Sequence, residues 1–346
     1  MNSELNIRSK RKDQHVKHAL SQKIDGDSDF NHVHLIHQSL PAVNLDTVNL
    51  NACFGEFEFQ SPIYINAMTG GSEWTKSINR KLAEVAAAVK IPMAVGSMHA
   101  AIKDDSVIDS FKIVREKNPD GIIFANVGAD VSPADACYAV ELLQADGLQI
   151  HINAPQELIM PEGDRDFKNW RENIIETKKA VKVPVIVKEV GFGMSKETIQ
   201  TLVQAGIKYI DVSGKGGTNF AEIENRRRFG QDMNFLFNWG QSTVVSLIES
   251  KPFQNDSFIL ASGGVTSPLD AVKSIALGAN AVGISKAVLE KIQTDGVEGT
   301  VRYIEQFIVH MKKISVMVSA ENIQQLQKTP VVLSAEIESW KRQRNL

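Results

Sequence analysis

The sequence predicts an α/β fold, a (β/α)8 TIM barrel with an N-terminal extension. Three observations lead there. From about residue 60 onward, eight short β-branched runs recur, each closing on Gly, Asn, Ser or Lys. Segments with helical spacing separate them, and strand–helix alternation implies a parallel sheet. Eight such units within about 230 residues favour closure into a barrel over an open sheet. The 346 residues are enough for two ordinary domains, but one barrel with additions accounts for the same length. The chain divides into an arm and extension over 1–60 and a barrel over 61–346.

The strand runs are PIYINAMTGG from Pro62, PMAVGSMH from Pro92, GIIFANVGAD from Gly121 and GLQIHINAPQE from Gly147. They continue with PVIVKEVGFG from Pro184, YIDVSGKGGTN from Tyr209, FILASGG from Phe258 and AVGISKA from Ala281. Spacing predicts helices over 78–89, 106–117, 170–181, 196–205, 242–248 and 268–277. Another starts at Pro133, with Ser132 as its cap. A last stripe joins Val301, Ile304, Ile308 and Met311. Between the sixth and seventh strands, 214–240 is a long Gly-, Asn- and Arg-rich loop, the length of a lid or binding loop.

Composition excludes several classes. Lys+Arg 38 against Asp+Glu 41 leaves a net charge of -3, so bulk charge pulls the chain to neither nucleic acid nor membrane. Two cysteines exclude a disulfide scaffold and fit a reducing, cytoplasmic setting. No apolar run has the length of a membrane span, and the first twenty residues lack the apolar stretch of a secretory signal. Those residues do carry Arg8, Lys10, Arg11, Lys12 and Lys17 against Glu4 and Asp13, with His15 and His18 beside them. Such an arm is either a solvated helix face or a segment that folds over an anionic ligand.

In a barrel, the chemistry sits at the carboxyl ends of the strands. In LQIHIN, Leu148, Ile150 and Ile152 share one face and Gln149, His151 and Asn153 the other. The polar face points inward, where each group needs a partner, and Gln156 and Glu157 follow on the loop. At the end of strand five, one of Lys188 and Glu189 faces inward. A structural ion pair of Lys188 with Asp211 is the plainer reading. Gly70-Gly71, Gly216-Gly217 and Gly263-Gly264 let backbone approach a ligand. SGG after strand seven and ISKA after strand eight occupy the usual barrel phosphate site. HVHLIH lacks the company of a metal site. Cys53 and Cys137 stand away from the strand ends, Arg226 to Arg228 read as solvated or paired, and Met68, Met93, Met98 and Met194 as core or pocket wall.

In order along the chain stand RKDQH at Arg11, AMTGG at Ala67, VGSM at Val95, HINAPQE at His151 and KEVGFG at Lys188. DVSGKGGTN at Asp211, running on to IEN, and ASGGV at Ala261 complete the set. This set resembles type 2, FMN-dependent isopentenyl-diphosphate isomerase, from about Arg11 to about Ala287. The resemblance implies that Ala67, Met68, Thr69, Ser97, Asn126, Lys188, Ser213 and Thr218 line FMN. Its phosphate would lie against Gly263, Gly264, Val265, Ser285 and Lys286. Arg11 and Lys12, joined by His15 and His99, would meet the substrate diphosphate, with Gln156 beside the substrate and Glu157 binding Mg²⁺. The catalytic set would be His151, Asn153, Gln156 and Lys188. The implied reaction converts isopentenyl to dimethylallyl diphosphate in isoprenoid biosynthesis, with reduced FMN as acid–base cofactor and no net redox. NADPH would only reduce the flavin. Gln156, a poor base, would relay or orient, and Lys188 would stabilise an anionic reduced flavin. A homotetramer or homo-octamer is implied, with neither nucleic acid nor membrane as partner.

Two departures stand out. His99 occupies a position where the family often has Arg, which makes one diphosphate contact weaker or pH-dependent. Trp239-Gly240-Gln241-Ser242-Thr243 lacks the family's usual Pro. The alternative on the same barrel is an FMN-dependent 2-hydroxy-acid oxidase or dehydrogenase, but the chain lacks its late His–Arg pattern. An inosinate-type dehydrogenase needs a Cys after strand six, and 213–229 contains none. A passive flavin carrier has no use for the inward polar set and its Mg²⁺ carboxylate.

Overall fold

Eight parallel strands close into a barrel. They are β1 (Ile63–Ile65), β2 (Met93–Ala94), β3 (Ile123–Gly128), β4 (Gly147–His151), β5 (Val185–Lys188), β6 (Tyr209–Asp211), β7 (Phe258–Ser262) and β8 (Ala281–Ile284). Closure is made by β8 against β1, Val282 opposite Ile63. The strands are buried almost throughout, because helices cover one face and barrel contents the other, which is why they read as β-branched runs. This computed structural model describes the backbone of residues 2–22 and 28–346, with side chains over 12–22 and 28–346.

The surrounding helices start where side-chain caps stand ready. Ser72 and Thr75 form a reciprocal capping box, so Glu73–Val89 begins five residues before the predicted start. Ser132 caps Pro133–Leu143 as expected. The predicted helix over 106–117 is instead a short turn, Asp105–Val107, capped by Asp104, followed by Asp109–Lys117. The expected loop 214–240 also needs correction. Asn219 accepts a bond from the Glu222 amide and starts a helix, Phe220–Arg227, within it, and a tight turn follows at Asn234–Leu236.

The amino end of the barrel is stoppered. Ala52–Phe54 and Phe57–Phe59 form an antiparallel hairpin whose turn residue Gly55 has φ 59°. A Cβ there would lie 2.1 Å from the Tyr209 hydroxyl, so only glycine lets the turn close. Phe54, Phe57 and Phe59 pack among Tyr64, Phe124, Tyr209 and Phe258 with ring centroids 4.9–6.5 Å apart.

The arm lies across the other end. Helix Asn2–Ser21 buries Val16 and Ala19, and its Asp13 accepts a hydrogen bond of 2.6 Å from Ser72 Oγ. The next residue, Gln22, accepts from the Asn219 amide at 3.0 Å and donates to the Asn219 carbonyl at 2.8 Å and to Glu222 at 3.0 Å. The extension continues as Val33–Leu35, paired antiparallel with Val331–Leu333 near the carboxyl terminus. Among the described residues no helix is long and apolar enough to cross a membrane.

Candidate active site

A cleft of about 1310 Å³ opens at the carboxyl ends of the strands, beneath the arm helix. Every predicted site residue with a described side chain borders it, from Lys12 and His15 through Lys188 to Ser285 and Lys286. Arg11 has its side chain outside the described residues. The arrangement follows from strand alternation: the inward residues after the aromatic layer are polar, and register sets them side by side. Asn126 stands opposite Gln149, His151 opposite Lys188, and Lys188 opposite Asp211.

The floor of the cleft is a continuous hydrogen-bonded belt. Asp211 on β6 accepts from Tyr64 Oη at 2.7 Å, Asn66 Nδ2 at 3.0 Å, Ser262 Oγ at 2.8 Å and the Ser213 amide at 3.1 Å. Asn66 Oδ1 accepts from Gln149 Nε2 at 3.2 Å, and Gln149 Oε1 from Asn126 Nδ2 at 3.1 Å. Asn126 Oδ1 meets His151 Nδ1 at 2.8 Å. Burial, with Lys188, Lys12 and His99 as positive neighbours, pushes the His151 imidazole down to about 3, so it is neutral. Lys188 Nζ donates to the Glu189 carbonyl at 2.6 Å. Burial lowers its pKa, against the pull of Asp211 and Glu189. Of the two candidates, Lys188 faces the cleft. The Glu189 carboxylate turns back to accept from the Val190, Gly191 and Phe192 amides at 2.5–2.7 Å, and burial raises its pKa to about 7 despite those bonds.

The wall toward the arm is built on Glu224, which is fully buried. It accepts from Gln156 Nε2 at 2.9 Å, lies 2.9 Å from His15 Nε2 and pairs with Arg227. Burial alone would raise its pKa; His15, Gln156 and Arg227 outweigh it and hold the carboxyl at about 2. His15 Nε2 thus faces the Glu224 carboxylate. Burial lowers its own pKa, opposed by Glu224. Asn153 Nδ2 donates to Gln156 Oε1 at 3.2 Å and to Glu157 Oε1 at 2.8 Å, and Glu157 Oε2 accepts from the Asp164 amide at 3.0 Å. Burial raises the Glu157 pKa, opposed by those bonds. His99 Nδ1 lies 3.9 Å from Asp130 at the rim.

The residues fit a phosphate-bearing flavin. Gly264 has φ 73°, and a Cβ on it would come within 2.9 Å of the Gly216 carbonyl carbon, so the loops after β6 and β7 face each other as bare backbone. Ser285 precedes helix Lys286–Thr294, whose N-terminus opens on the same space. Lys286 Nζ donates to the Gln22 carbonyl, joining the cradle to the arm. Thr69 Oγ1 is buried with no hydrogen-bond partner in the protein, the kind of atom a bound group satisfies. Ser213, at φ 33°, is a strained non-glycine residue held by its bond to Asp211. No cluster of three or more metal-ligating side chains occurs among the described residues. Glu157 offers a carboxylate that suits Mg²⁺, which keeps waters and takes further oxygens from phosphate.

Sequence reasoning missed Glu224, Asn66 and Tyr64. The signal for Glu224 was present in IEN at Ile223, but its partners His15 and Gln156 come from distant chain.

Residues 151–333 match the FMN-dependent dehydrogenase family. An isopentenyl-diphosphate delta-isomerase of Staphylococcus epidermidis is 54% identical over 98% of this chain and 97% of its own. One of Staphylococcus saprophyticus is 53% identical over 99% and 98%. A flavocytochrome b2 variant superposes with a TM-score of 0.69 at 16% identity, covering 94% of this chain and 84% of that one; a mandelate oxidase does so at 0.63 and 13%, covering 93% and 92%. Those two likenesses show the barrel alone. Full-length identity above one half decides between the branches of this fold, and the chain belongs to the isopentenyl-diphosphate delta-isomerase family, built on the FMN-dependent dehydrogenase barrel.

Proposed function

We propose that the protein interconverts isopentenyl and dimethylallyl diphosphate. The observation that carries this reading is the full-length likeness to isomerases named for that substrate; the cleft's chemistry supports it. Bound flavin, in its reduced form, supplies acid–base chemistry at the alkene. The chain's own residues do the rest. Arg11, Lys12 and His15 on the arm, with His99 at the rim, would hold the diphosphate, and Glu157 would hold a Mg²⁺ that supplies further positive charge there. Glu224 and Asn153 hold the Gln156 amide from both ends, so Gln156 orients the reacting carbons and relays a proton without acting as a strong base. Lys188 would supply positive charge to a reduced flavin. His151 and Asn153 complete the catalytic set.

Ala67, Met68, Thr69, Ser97, Asn126, Ser213 and Thr218 would line FMN, and Gly263–Val265 with Ser285-Lys286 would hold its phosphate. NADPH serves as external reductant. The protein works as a homotetramer or homo-octamer in the cytoplasm, where its two free thiols stay reduced.

The test is an anaerobic assay of FMN-loaded protein with isopentenyl diphosphate, Mg²⁺ and dithionite. Dimethylallyl diphosphate should form without net consumption of reductant. Oxygen uptake with lactate or glycolate, and no isomerisation, would return the chain to the 2-hydroxy-acid oxidases.

A further inference from the structure

The belt under the cleft has a direction. A carboxylate offers only acceptors, so Asn66 must turn its Nδ2 to Asp211. The backbone fixes the same amide independently, because the Ala67 N–H donates to Asn66 Oδ1 at 2.8 Å and an N–H cannot accept. With Oδ1 turned away from Asp211, Gln149 can approach it only with Nε2, which leaves Gln149 Oε1 for Asn126 Nδ2. Asn126 then shows Oδ1 to the imidazole. Each of the three amides is buried and has its neighbours in the belt as partners, so reversing one strands a donor against a donor or an acceptor against an acceptor.

We infer that Asp211, together with the Ala67 N–H, acts as a remote positioning group: through Asn66, Gln149 and Asn126 the two hold His151 in the Nδ1–H tautomer and present Nε2 to the cleft as a lone pair. Burial, Lys188, Lys12 and His99 all oppose protonation of the ring and outweigh a backbone bond at Val127 that favours it. The cleft therefore contains an acceptor at Nε2 where a typical imidazole would offer either face. The alternation of Gln149 and His151 on β4, paired with Asn126 on β3, is the sequence device that builds the relay. This inference does not rest on the isomerase reading, because the imidazole itself is observed.

The test is solid-state ¹⁵N NMR on full-length, FMN-loaded protein labelled at histidine, with the His151 signals assigned by their loss in His151→Gln. The expected pattern is a pyrrole-type Nδ1 and a pyridine-type Nε2 as a single tautomer. An Nε2–H tautomer, an imidazolium or a mixture in the unaltered protein overturns the inference. Gln149→Met cuts the relay and frees Asn126 to turn, so the single pattern should give way to a mixture of both tautomers. An unchanged pattern in that variant, with flavin still bound, removes Asp211 from the account. Gln149→Glu loses the donor to Asn66 but keeps an acceptor facing Asn126, so the Nδ1–H form should persist; its loss would show that the group at 149 does not orient Asn126 and would overturn the relay. Should Gln149→Met fail to fold, the unaltered protein and Gln149→Glu still decide.

Discussion

The two ends of the barrel are made from the same strands and share almost nothing chemically. Phe124 and Asn126 are two residues apart on β3, as are Tyr209 and Asp211 on β6. Both members of each pair point inward, but the first meets the aromatic hairpin and the second the amide belt. At the amino end, burial removes apolar rings from water and needs shape, with one hydrogen bond from the Glu56 amide to Tyr209 Oη. At the carboxyl end it removes amides and charges from water, so every group must find a partner of the right polarity. One end is therefore tolerant of pH and intolerant of lost volume. The other is the reverse.

Four measurements break or sharpen this contrast. The largest effect belongs to the stopper. Phe57→Ala should lower unfolding free energy by about 3–5 kcal/mol, read by urea titration, with the same loss at acid and neutral pH. A small loss, or one that varies with pH, would show that the amino end is not a purely apolar lock. Glu157→Gln is expected to do the opposite. Mg²⁺-dependent turnover should fall by about 100-fold, with the melting temperature and flavin absorbance unchanged. Full activity there would dissociate the carboxylate from the metal. Gly264→Ala puts a side chain at φ 73° against the Gly216 backbone. Flavin affinity measured by fluorescence quenching should weaken by roughly tenfold, about 1.4 kcal/mol.

The smallest effect is a slope. Glu189 has its folded pKa raised to about 7 from 4.5. The folded protein thus holds this proton more tightly than the unfolded chain does. The stabilisation it gives is complete below the unfolded value and is lost as pH rises toward 7, at most about 1.4 kcal/mol per pH unit. Glu189→Gln should flatten that part of the stability curve, while Phe57→Ala leaves its shape alone. An unchanged slope in Glu189→Gln would assign the pH dependence to other carboxyls.

How far the sequence was legible follows the same division. The eight strands were visible because each is buried on both faces and repeats one local pattern. The polar face of LQIHIN was visible from alternation alone, and the glycine pairs announced the loops where backbone meets backbone. What escaped depends on closure. Glu224 looks like any helical glutamate until the arm brings His15 and the loop after β4 brings Gln156 to it. Asn66 and Asp211 lie 145 residues apart and meet only across the finished barrel. The helix within 214–240 was hidden by its glycines and arginines. Its cap at Asn219 and the pairing of Arg226, Arg227 and Arg228 with Glu222, Glu224 and Asp232 make it regular.

The aromatic hairpin also sets a timetable. It is synthesised before any strand of the barrel it stoppers, and the Tyr209 hydroxyl that receives the Glu56 amide lies 153 residues further on. At ribosomal speeds of about 5–20 residues per second, the three phenylalanines wait on the order of 8–30 s for that partner. For that interval they have only one another, Tyr64 and Phe124 to pack against. A nascent chain of this design reaches its safest state only after its seventh strand has emerged, and anything that pauses translation before then prolongs the exposure.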